Sequence, residues 1–141
     1  MITTLLTALL IAAGMSASAQ TPAETPAKDP VIAARLVKEG QDLYRQGRLG
    51  DALISFENAV EAGAEGGELF YQMGFCYKTV REDPNKTREF MAKSVPFLEK
   101  VVADPTLAGI TPFYYLAAVY ANELADPQKG RDVAQRGVAL V

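Results

Sequence analysis

The sequence predicts an all-helical fold, and three observations carry that expectation. From Val31 onward apolar residues fall at helical spacings of three, four and seven, as among Leu36, Leu43, Leu53, Phe56 and Val60. Turn-forming residues interrupt the pattern every 12 to 20 positions. No stretch of useful length alternates apolar and polar residues as a half-buried strand would.

The elements follow in order. Helices are expected over about 31–46, 50–62, 67–81, 86–103, 108–124 and 127–139. Gly47 and Gly50 close the first, and Gly63, Gly66 and Gly67 close the second. Asp83-Pro84, Asp104-Pro105 and Asp126-Pro127 punctuate the rest. Asp before Pro suits a helix start, because the carboxylate caps free N–H groups and Pro needs no hydrogen-bond partner there.

Ahead of the helices, residues 1–19 read as a secretory signal peptide. Leu5 to Ala13 is an apolar run, and Ala17-Ser18-Ala19 places small residues where a signal peptidase cuts. The run is shorter than the roughly 20 residues that cross a bilayer, so no stable span is expected after cleavage. Residues 20–30, with Pro22, Pro26 and Pro30, form a linker. Residues 31–141 form the folded domain. Export to a bacterial periplasm or outside the cell is the expectation.

Composition narrows the function. The chain has 141 residues, 49% hydrophobic and 22% charged, with net charge −3, which fits one small domain without a basic surface for nucleic acid. It has no His, which removes the usual general base and the commonest metal ligand. Ser-His-Asp and Cys-His catalysis are therefore excluded within the chain. The single cysteine, Cys76, lies between Phe75 and Tyr77 and is expected in the core. The acids Glu82 and Asp83, or Glu65 and Glu68, sit at a turn or helix start, where the helix dipole favours them without any catalytic role. Gly63 to Gly67 is a turn, not a phosphate loop, since no strand precedes it and no Lys-Ser/Thr follows. The expectation is a protein that is not an enzyme and carries no cofactor or metal.

The body of the chain is repeated. Gly40 and Gly74 lie 34 residues apart. Gly40, Gly47, Ala52, Phe56 and Ala59 follow one another at 7, 5, 4 and 3. Phe70, Met73, Gly74 and Tyr77 share 3, 1, 3 spacing with Phe113, Leu116, Ala117 and Tyr120. Gly130, Ala134 and Gly137 form a last small-large-small set, with Ala at the large place. Small residues let two antiparallel helices approach closely, and large ones fill the space around the crossing.

This pattern resembles the tetratricopeptide repeat family. The resemblance implies an α-solenoid of about three helix pairs, near 33–66, 67–109 and 110–141. Within it, Ser94 to Val101 resembles the start of a second-helix segment. That places eight extra residues in the turn of the middle pair, within Arg81 to Lys93. The last helix has no polar capping helix after it in this register.

The resemblance also implies where a partner binds, because the first helix of each pair lines the family's concave groove. The matching positions are Val37, Lys38, Gln41, Tyr44 and Arg45, then Glu68, Tyr71, Gln72, Phe75 and Lys78, then Tyr114, Ala118 and Asn122. The surface is aromatic and amide-rich, which suits recognition. Family members that clamp a peptide carboxylate use Lys, Arg and Asn; the matching places here hold Val37, Gln41, Gln72, Thr111 and Tyr115. The implied function is a non-catalytic scaffold binding a protein or peptide, with envelope assembly as one setting for it. Two alternatives stand beside it. One is self-association into a homo-oligomer through the last pair. The other is carriage of a small apolar ligand among Tyr71, Phe75 and Tyr114.

Overall fold

A computed structural model describes residues 28–104, 106 and 109–141. The signal segment and residues 20–27 of the linker lie outside these residues, while Asp29 and Pro30, expected in the linker, cap and open the first helix. The described chain is all-helical: α1 Pro30–Arg45, α2 Leu49–Glu61, α3 Gly67–Cys76, α4 Pro84–Val102, α5 Ile110–Ala118 and α6 Pro127–Val138. Short π-helical turns, Tyr77–Arg81 and Val119–Glu123, continue α3 and α5.

Three of the six helices begin at an Asp-Pro step. Asp29 accepts from the N–H groups of Val31 and Ile32, Asp83 from those of Asn85 and Lys86, and Asp126 from that of Lys129. Asp104 behaves differently. It accepts from the Thr106 N–H and hydroxyl in a local turn, and α5 starts only at Ile110.

The helices pack as three consecutive pairs, α1 on α2, α3 on α4 and α5 on α6. Each crossing depends on a missing or small side chain. A Cβ on Gly40 would stand 2.5 Å from the Phe56 ring, one on Gly74 2.9 Å from Met91, and one on Gly130 2.9 Å from the Ala117 carbonyl. These contacts also fix the register. Met91 faces Gly74 as Phe56 faces Gly40, so Thr87, Met91 and Ser94 of α4 answer to Ala52, Phe56 and Ala59 of α2. All six are buried.

The expected insertion in the turn of the middle pair is thereby corrected. Asp83 caps α4 at the same place relative to Met91 as Arg48 holds relative to Phe56. The extra length lies at the far end instead. α4 runs 19 residues against 13 for α2, and its last turns carry Leu98 and Val102 into a second core with Phe113, Leu116 and Tyr120.

That extension displaces the third pair. At the first junction the Tyr77 hydroxyl donates to Glu57, one residue past Phe56, at 2.5 Å. At the second, the Tyr120 hydroxyl donates to Glu99, eight residues past Met91. Seven residues of helix amount to about 10 Å of axial travel. The two junctions are thus chemically alike but displaced by about two turns.

Two substitutions probe the crossings. Ala52 is fully buried, so Ala52→Glu places an unpaired charge in the first crossing and should abolish the cooperative helical melt seen by far-UV circular dichroism. Gly40→Ala improves helix propensity yet should still lower unfolding stability by roughly 1–2 kcal/mol, since the buried Phe56 ring must move. A Gly40→Ala protein at least as stable as the parent in urea would remove the close-approach account.

Candidate binding groove

The face formed by α1, α3 and α5 carries a file of aromatic rings. Tyr44 meets Phe75 edge-on, with centroids 5.9 Å apart. Tyr71 stacks on Tyr115 at 4.0 Å and 17°. Tyr114 lies 5.9 Å from Tyr115 and is 65% exposed. Such ring pairs add to what area burial alone contributes.

Between α3 and α5 this file encloses a cavity of about 200 Å³. Tyr71, Phe75, Met91, Tyr114, Ala118 and Val119 form its apolar wall. Lys78, Asn122 and Glu123 form its polar end, where the Lys78 ammonium donates to Glu123 at 2.6 Å. That ion pair spans the displaced junction between the second and third pairs.

Six of the thirteen residues expected in the groove meet in this cavity: Tyr71, Phe75, Lys78, Tyr114, Ala118 and Asn122. The α1 residues do not line it. Val37 is half-buried against the first core. Gln41 is half-buried on the same helix, and Tyr44 reaches the cavity only through Phe75. Lys38 and Arg45 are exposed and both pair with Asp42. Lys38 lines a different depression, with Arg35 and Glu39. Gln72 is buried rather than offered to a partner. Its amide donates to Glu68 at 3.0 Å, and its carbonyl oxygen has no partner. Tyr71 is both a cavity wall and a core residue, packed with Met91 and Val119.

Sequence reasoning missed Met91, Val119 and Glu123. Met91 was recoverable from the Thr87, Met91, Ser94 spacing, which repeats that of Ala52, Phe56 and Ala59. Val119 and Glu123 carry no local signal, because the displacement of the third pair brings them to the cavity.

A larger hollow of about 480 Å³ lies away from this face, between α2 and α4, with Val60, Phe70, Pro96 and Phe97 in its wall. Size alone favours it. That hollow also holds rings and charges, with Phe70, Phe97, Lys28, Glu65 and Lys93 in its lining. The groove cavity is set apart by lying on the ring-lined face where six of the expected groove residues meet.

Burial sets the electrostatics. It pushes the Tyr71 hydroxyl and the Cys76 thiol each up to about 12. It also raises Tyr44 and Tyr77, and the hydrogen bond to Glu57 adds to the shift on Tyr77. Cys76 is fully buried and held as the unreactive thiol. Among the described residues no cluster of three or more His, Cys, Asp or Glu could hold a metal, and no helix is long and apolar enough to cross a membrane. No protein-family model matches the chain, and no curated protein matches it.

The buried hydroxyls and thiol set an alkaline limit. Their folded-state values lie above those of the unfolded chain, so they contribute fully at low pH and lose that contribution as pH rises. Unfolding free energy in urea should hold steady from about pH 6 to 8, begin to fall near about pH 9 where the unfolded thiol ionises, and fall more steeply beyond about pH 10. Tyr71→Phe should make the fall shallower, and an unchanged slope would remove Tyr71 from this account.

Proposed function

We propose that the chain is an exported, non-catalytic module with a tetratricopeptide-like arrangement of helix pairs. Its role is to bind an extended or helical segment of another protein along the α1, α3 and α5 face. The single observation that carries this proposal is the file of rings from Tyr44 to Tyr114, ending in a cavity with a polar end. The 34-residue spacing of Gly40 and Gly74 and their matched packing on Phe56 and Met91 support the family likeness.

The size of the cavity favours one kind of ligand. Small-molecule sites span roughly 300–1,000 Å³. A cavity of about 200 Å³ takes a single large side chain, so an apolar anchor of a partner fits better than a whole carried molecule. The charges of the face also balance locally, Lys78 with Glu123, and Lys38 and Arg45 with Asp42. That favours an uncharged, apolar segment. The signal-like residues 1–19 support a site of action in the periplasm or outside the cell.

The experiment is a crosslinking pull-down of the processed protein from its own cells, read by mass spectrometry, followed by affinity measurements with the captured protein. Phe75 is half-buried and Tyr114 exposed, so Phe75→Ala and Tyr114→Ala should keep the helical spectrum. Each should weaken binding by about 10-fold or more. Unchanged affinity in both variants would sink the groove assignment.

A further inference from the structure

The junction between the second and third pairs shows what the far side of the third pair leaves open. On the middle pair, Tyr71, Phe75, Met91 and Val95 form the seat that receives Tyr115 of α5 and Val119 of its π-helical continuation. The residues 43 positions further on are Tyr114, Ala118, Ala134 and Val138. They occupy the same places on the α5–α6 pair, since Gly130 and Ala134 cross α5 as Thr87 and Met91 cross α3.

Cover is what differs between the two seats. Tyr71 is 7% exposed beneath Tyr115, whereas Tyr114 is 65% exposed and Val138 69%. The larger Phe75 and Met91 are replaced by Ala118 and Ala134, which leaves a hollow of about 450 Å³.

Charge follows the register in part. Glu123 pairs with Lys78, whose counterpart 43 residues on is the uncharged Ala121, and it shares a depression with Arg88. The counterpart of Arg88 43 residues on, Arg131, borders the open hollow. Arg131 donates only to the neutral Gln128 amide at 2.7 Å and has no carboxylate partner among the described residues. The covering helix α5 and its π-helical continuation thus present apolar side chains at i and i+4 and an acid at i+8: Tyr115, Val119 and Glu123.

We propose that the outer face of α5 and α6 is a docking site for an amphipathic helix of a partner protein. That helix carries large apolar residues at i and i+4 and an acidic residue at i+8. The hollow left by Ala118 and Ala134 requires the large side chains, and Arg131 requires the acid. A second copy meeting this face symmetrically would bring two Arg131 cations into one interface, which disfavours self-pairing.

The probe is a fluorescein-labelled, alanine-based helical peptide with Trp, Leu and Glu at i, i+4 and i+8, titrated with the full chain and followed by anisotropy. Saturable binding is expected. Changing the peptide Glu to Lys, or making Arg131→Glu in the protein, should each weaken it by about 10-fold, and combining the two changes should restore it. Arg131 is exposed, so an unchanged far-UV spectrum should accompany the variant. Phe75→Ala, which removes a wall of the groove cavity and no residue of this hollow, should leave this binding intact. Three results would overturn the proposal: no saturable binding, binding indifferent to Arg131 but lost with Phe75→Ala, or peptide-free oligomers that vanish with Arg131→Glu.

Discussion

The close approach of the two helices within each pair is the constraint on which the rest of the structure depends. Gly40 lets the Phe56 ring lie against the α1 backbone, and Gly74 does the same for Met91 on α3. Interiors are packed too tightly for even one methyl group to enter such contacts freely. With no disulfide available to the lone Cys76, packing must hold the pairs together. The first core gathers Ala52, Leu53, Phe56, Leu69, Phe70 and Met73 around two of these crossings. Once a crossing is fixed, the faces of the helices are fixed too, and with them which side chains reach the groove.

The length of α4 then decides how the third pair is placed. Were α4 as short as α2, Leu98 and Val102 would have no helix to stand on, and Phe113 and Leu116 would lose their floor. Because α4 continues, α5 settles about two turns further along than α3 does on α2. This displacement brings Val119 beneath Tyr71 and Glu123 beside Lys78. The groove cavity is thus a product of an unequal junction and would not arise from perfect repetition. Its polar end depends on the same displacement, since the Lys78–Glu123 pair joins residues 45 apart in sequence.

Much of the local structure was legible in the sequence. Asp-Pro steps announce α4 and α6 because a capping carboxylate and a donor-free first residue are local chemistry. The apolar setting of Cys76 announces its burial for the same reason. The middle register was harder. Ser94, with Leu98 and Val101 after it, imitates a small-large-small set, while the set that packs uses Thr87, whose size disguises its role. Propensity cannot separate the two, because the deciding contact, Met91 against Gly74, lies across the pair. The burial of Tyr71 and Gln72 was likewise illegible, since the ring that covers Tyr71 belongs to another pair.

Position within the array, more than residue type, decides what a tyrosine does here. Tyr71 and Tyr114 hold the same place on successive pairs, and each has an aromatic neighbour in Tyr115. Tyr71 is stacked and buried, and its hydroxyl resists ionisation up to about 12. Tyr114 stands open between the groove cavity and the hollow of the third pair, and borders both. A large exposed ring at a place where its counterpart is covered fits the proposed docking of a partner. The two hollows it borders differ in charge: one ends in the satisfied pair of Lys78 and Glu123, the other in Arg131, which has no carboxylate partner among the described residues. That difference separates the two surfaces physically. An uncharged segment suits the first, an acidic helix the second, and Tyr114, Ala118 and Asn122 form the wall they share.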